Sequence, residues 1–193
     1  MKQKIQIRCK NNKKSQKVEI GSTLFDVFSS FDLKMTHGPV SARVNNKVEG
    51  MHYRVYNSKD VEFLDMNSAS GSRAYTRTLF FVLCKAVQDI YPNTDVVIDI
   101  PVSNGFYVDI RLGRPVVDED VNILRRRMQE IIDSKMPIRR FTVPTEEAIA
   151  LFQEKGDVEK VKLLRTSGSI YTTYYKIGEY VDYYYGTLLT NTS

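Results

Sequence analysis

The chain has 193 residues, 42% hydrophobic and 26% charged, with a formal net charge of +5; it can bury one sizeable core or two small ones, and its balance is that of a soluble globular protein. No apolar run approaches the roughly 20 residues of a membrane helix, and no apolar signal segment follows the basic start MKQKIQIRCKNNKK, so a cytosolic location is expected. Two cysteines, Cys9 and Cys84, and two histidines, His37 and His52, leave little material for a disulfide framework or a metal centre.

KQKIQIRC alternates as a half-buried strand does, with Ile5 and Ile7 on one face, and KVEI reads as its hairpin partner. GSTLFDVFSSF is predicted to be a helix capped by Thr23, with Asp26 three residues on in a capping-box position. PVSARV, a turn at Asn45 and Asn46, and DVEFLD add short strands. This order of elements predicts a small α+β roll. The small polar stretch Met66–Ser72 is predicted to be a linker.

Longer elements follow. RAYTRTLFFVLCKAVQDIYP is predicted to be a helix ended by Pro92, with Leu79, Val82, Leu83, Val87 and Ile90 on its apolar face. VVIDIPV and GFYVDIRL read as strands joined at Asn104 and Gly105. DEDVNILRRRMQEIIDSK reads as a helix with Val121, Leu124, Met128 and Ile131 inward and Arg125, Arg126 and Arg127 outward. FTVPTEEAIALFQEKGDVEKVKLL reads as two shorter helices, Thr145 capping the first and Gly156 ending it, and the Tyr-rich tail 167–186 reads as strand.

Up to Met66 there are 12 Lys and Arg against 7 Asp and Glu, and 16 of each beyond it, so the whole excess charge sits in the first third. Lys10, Lys13, Lys14 and Lys17 cluster there as candidate contacts for RNA phosphates; a solvated hairpin tip is the plainer alternative. No glycine precedes a lysine, so a phosphate-cradling P-loop is excluded, and HExxH, paired CxxC and dinucleotide fingerprints are all missing.

GSTLFDVF followed by GPVSARVNNKVEGMHYRVYNSKDVEFLD resembles a TGS domain, and AVQDIYP, IPVSNGFYVDIRL, VDEDVNILRRRMQEII and EYVDYYYG resemble the editing domain shared by threonyl- and alanyl-tRNA synthetases. The resemblance implies an α+β chain: a β-grasp TGS domain over 1–66, then an editing-like domain over 72–193 with an antiparallel sheet packed on helices, truncated at its C-terminal end. The family's editing centre has HxxxH before its YP sequence and CxxxH after its YVD sequence. The matching positions here are Arg77, Phe81, Tyr184 and Leu188, and no metal is expected, because a guanidinium and a phenyl ring have no lone pair to donate. Lys160 and Asp182 match retained pocket positions, either as a structural ion pair or as a polar ligand site, and Asn104 and Tyr107 of NGFYVD are taken with them as candidate pocket residues.

TGS and degenerate editing-like domains also stand together ahead of the P-loop domain in bacterial proteins resembling uridine kinase. That resemblance implies a non-catalytic accessory region of a nucleoside kinase. ATP and magnesium would serve only the kinase domain outside this chain, and that domain would be a partner, alongside RNA, tRNA or a small nucleotide or amino-acid ligand. The alternative is an aminoacyl-tRNA deacylase or RNA-binding module.

Overall fold

The computed structural model describes residues 3–103 and 105–192, apart from the Asp99 side chain. By packing, the chain divides into two units, Met1–Val82 with Gly186–Thr192, and Leu83–Tyr185.

The first unit is built on five strands, β1 (Lys4–Cys9), β2 (Ser15–Glu19), β3 (Ser41–Val44), β4 (Lys47–Glu49) and β5 (Lys59–Leu64), and helix α1 (Leu24–Ser30). Their order is β2-β1-β5-β3-β4, with β1 and β5 parallel and the other neighbours antiparallel, which is the β-grasp arrangement. Alternation decides which face is covered: Ile7 and Cys9 are fully buried while Lys4, Gln6 and Arg8 are exposed. Leu24 and Val27 of α1 close the core over Val61 and Phe63, each large side chain contributing about 1.5–3 kcal/mol of burial. The predicted capping box is present: the Asp26 amide donates to Thr23 Oγ1 at 3.2 Å and the Thr23 amide to Asp26 Oδ2 at 2.8 Å. These bonds from Thr23 hold the Asp26 carboxyl below the usual carboxylate range.

The stretch predicted to be a linker is instead structured. Helix α2 (Ala69–Ile90) starts inside it, Ser68 Oγ accepts from the Gly71 amide at 3.0 Å, and Gly71 is buried. The small residues there permit close packing, where composition alone suggested flexibility. Leu79, predicted to face inward, is 39% exposed, and Ala74 and Phe81 take the buried positions.

The second unit has hairpin β6 (Val96–Val102) and β7 (Gly105–Ile110), helix α3 (Asp118–Asp133), strand β8 (Arg139–Pro144), helices α4 (Thr145–Glu154) and α5 (Val158–Thr166), and strands β9 (Tyr171–Ile177) and β10 (Tyr180–Tyr183). The last three strands form an antiparallel sheet in the order β10-β9-β8. Strand β8 was hidden in the sequence because its Arg139, Arg140 and terminal Pro144 are residues that suit an edge. Helices α4 and α5 supply Ala148, Ile149, Phe152, Val161 and Leu164 to a core shared with Val181 of β10. Thr145 is the first helical residue and not the cap; its hydroxyl donates to the Ser169 carbonyl at 2.6 Å.

Helix α3 buries Leu124 and Ile131 but leaves Val121, predicted to face inward, 45% exposed. Asp120 is buried there, accepting from Arg114 twice at 2.7 Å, from Tyr91 Oη at 2.7 Å and from the Val117 amide at 3.0 Å. The Arg114 guanidinium above all holds this carboxyl far below its ordinary range. Among the described residues no helix is long and apolar enough to cross a membrane.

Candidate functional site

The β9–β10 turn passes through Gly178 at φ +56 and sets Asp182 opposite Tyr175, which places the Asp182 side chain in the interior at 9% exposure. On α5, Asp157 caps the helix by accepting the Lys160 amide at 3.0 Å, and the same carboxylate takes Lys160 Nζ at 2.7 Å. Lys160 Nζ also reaches Asp182 Oδ1 at 2.9 Å and lies 5.9 Å from the centroid of the Phe152 ring. Asp182 Oδ1 accepts the Tyr183 amide at 2.6 Å, and Oδ2 accepts Tyr180 Oη at 2.8 Å. Both oxygens of Asp182 are therefore engaged.

Burial pulls the Lys160 ammonium down, but the charge of Asp182 and the bond to Asp157 outweigh it, and the net displacement is upward from 10.5. The group is a fixed cation at neutral pH and cannot act as a base. Burial and the nearby Asp182 charge also push the Cys84 thiol up to about 11, with Tyr180 and Tyr184 bonded to it. Burial raises the phenols of Tyr180 and Tyr184 well above 10. Cys84, Tyr180 and Tyr184 therefore all keep their protons at neutral pH. Cys84, 8% exposed, is accordingly expected to resist alkylation in the native protein at neutral pH; rapid labelling read by mass spectrometry without unfolding would contradict this.

The remaining editing positions lie in the first unit. Phe81 and Leu188 are buried at 0% and 2% exposure and serve as core. Arg77 is half-buried with its guanidinium against Gly186. Neighbouring Thr78 Oγ1 donates to the Ala74 carbonyl at 2.8 Å and accepts the Leu189 amide at 2.8 Å, so it ties the returning tail to α2.

Of the candidate pocket residues, the structure joins Lys160 to Asp182. Tyr107 stands on β7 at 60% exposure, outside that hydrogen-bonded cluster, and Asn104 lies outside the described residues. Lys10, Lys13, Lys14 and Lys17 are all exposed on the β1–β2 hairpin. Sequence reasoning missed Cys84, Asp157 and Tyr180 as members of the cluster. The only available signal was the DVEK pattern, in which a capping Asp precedes Lys160 by three residues.

Among the described residues no three His, Cys, Asp or Glu side chains come together so as to hold a metal ion. Two open clefts of about 440 and 410 Å³ are found elsewhere, one beside Thr145, Arg165 and Ile170, the other beside Lys155, Tyr174 and Glu179. Neither contains Lys160 or Asp182.

No known family profile matches the chain. Its sequence is similar to threonine–tRNA ligases. It is 31% identical to that of Acetivibrio thermocellus over 163 residues, 84% of this chain and 26% of the ligase. It is 29% identical to that of Clostridium kluyveri over 180 residues, 92% and 28%, and 29% identical to that of Clostridioides difficile over 171 residues, 88% and 27%. The chain spans about a quarter of the length of the curated relatives it matches.

Proposed function

We propose that this chain is a non-hydrolytic binding module built on the scaffold of a threonyl-tRNA synthetase editing region. The observation that carries this reading is the engagement of both oxygens of the buried Asp182. Its two oxygens are occupied by Lys160, Tyr180 and the Tyr183 amide, and Lys160 is itself held between two carboxylates. A general base must reach the proton it removes, and Asp182 is buried, tied to the Lys160 ammonium and already accepting from Tyr180 and the Tyr183 amide, which disfavours that role. The Arg77, Phe81, Tyr184 and Leu188 positions add no lone-pair donor suited to a metal at neutral pH. The similarity to threonine–tRNA ligases supports an RNA- or tRNA-related role for the module, with the exposed lysines of the β1–β2 hairpin as contacts for phosphates.

The nucleoside-kinase parent implied by the sequence resemblance is a separate proposal. It places ATP, magnesium and phosphoryl transfer in a domain outside this chain, with the present module as its regulatory partner in the cytosol. The ligases found as relatives lend it no support.

The test of the non-hydrolytic reading is to offer a mischarged tRNA to the chain. No deacylation above the spontaneous rate is expected. Turnover that disappears in Lys160→Ala and Asp182→Ala would overturn the reading.

A further inference from the structure

We propose that Arg77, beside Gly186 and Thr187, is a recognition site for the phosphate group of a ligand. The inference rests on the non-hydrolytic reading, since it assigns a binding role to a position where that reading places no chemistry. Arg77 is half-buried, yet its guanidinium takes part in no hydrogen bond or ion pair among the described residues. The other half-buried arginines are partnered, Arg43 with Glu62 and Arg127 with Asp89 and Glu130. A cation drawn out of water without a counter-charge is costly, and its five N–H donors match an oxyanion's geometry in pairs.

The guanidinium is also placed by the backbone. Gly186 sits at φ +110, and a Cβ on it would lie 2.9 Å from Arg77 Cζ and Nη1 and 3.2 Å from Nη2. Glycine at this position therefore makes the room that the guanidinium occupies. The next residue, Thr187, is only 8% exposed, and its hydroxyl has no hydrogen-bond partner among the described residues. A half-buried guanidinium without a counter-charge and the solvent-reached hydroxyl of Thr187, the residue after Gly186, are the groups a phosphate would engage.

The full chain is titrated with inorganic phosphate, with AMP and with a 5′-phosphorylated RNA oligonucleotide at constant ionic strength, and the amide resonances of Gly186 and Thr187 are followed. Saturable shifts are expected, with affinity falling at least about tenfold in Arg77→Met, as loss of charge-assisted hydrogen bonds implies. Arg77→Lys should retain part of the affinity, Gly186→Ala should weaken it by pushing the guanidinium aside, and Arg126→Met, an exposed arginine of α3, should leave phosphate binding unchanged. AMP binding comparable to that of the oligonucleotide would identify a free nucleotide, and a preference for the oligonucleotide would identify an RNA end. Undiminished binding in Arg77→Met, an equal response to chloride, or no saturable shift with any of the three probes would overturn the proposal. Deacylase activity would sink the functional reading by itself, whereas these negative results with no deacylation would sink the phosphate site alone.

Discussion

Replacing Gly71 with alanine is expected to destabilise the protein by at least about 3 kcal/mol, a large part of the stability of a domain this size. Intrinsic propensity predicts the opposite, since alanine favours a helix by about 1 kcal/mol over glycine. Sterics decide the sign. A Cβ at Gly71 would lie 1.8 Å from the carbonyl oxygen of Asp65, 2.7 Å from its carbonyl carbon and 2.8 Å from Val40 Cγ2. The first two are backbone atoms that no rotamer change can move. Asp65 follows directly on β5, and its carbonyl accepts the Ser68 hydroxyl at 2.8 Å, so relief requires shifting either the strand end or the first turn of α2. Gly156→Ala is the control: it has open space around it and only the strain of φ +73, so a loss of about 1 kcal/mol is expected. Urea unfolding measures both. Equal midpoints for Gly71→Ala and the parent would show that the contact between 65 and 71 is not maintained.

The same glycine shows where the sequence misleads. MNSASGS has the composition of a flexible connection, but its residues are small because two backbone segments touch there, a cause that composition cannot distinguish from flexibility. Local signals fared better. The Thr23 and Asp26 pair, the alternation of Ile5 and Ile7 and the polar turns at 10–14 and 45–46 depend on neighbours within a few residues, and each formed as expected. Strand β8 was lost because Arg139 and Arg140 mark an edge whose partner, β9, lies some thirty residues later. At the candidate site only the family resemblance points to Lys160 and Asp182, and it leaves an ion pair and a ligand site as alternatives. Cys84 was not legible, because its place beside Tyr180 and Tyr184 follows from tertiary packing and from no local pattern.

Lys160→Met is expected to cost about 3 kcal/mol, and more than Asp182→Ala, because the two changes leave different residues behind. Without Lys160, Asp182 keeps a carboxylate at 9% exposure with only neutral donors, Tyr180 Oη and the Tyr183 amide. Without Asp182, Lys160 keeps Asp157 at 2.7 Å and a side chain that is 30% exposed. The double change Lys160→Met with Asp182→Leu should cost less than the sum of the single ones, since no charge is left buried. Acidity gives an independent check. The folded-state value of Lys160 is raised, so its contribution is fully present below 10.5 and is lost as pH rises through the folded value. Cys84 acts in the same direction from 9.0 up to about 11, because the folded state holds its proton more tightly than the unfolded chain does. Stability should therefore fall steeply above about pH 9, and Lys160→Met should flatten the upper part of that fall. A ligand site would behave differently: its lysine could be removed with little loss of stability and large loss of binding. Lys160→Met with a parental unfolding midpoint and an unchanged alkaline limb would reassign the pair from a tie between α5 and β10 to a surface that waits for a partner.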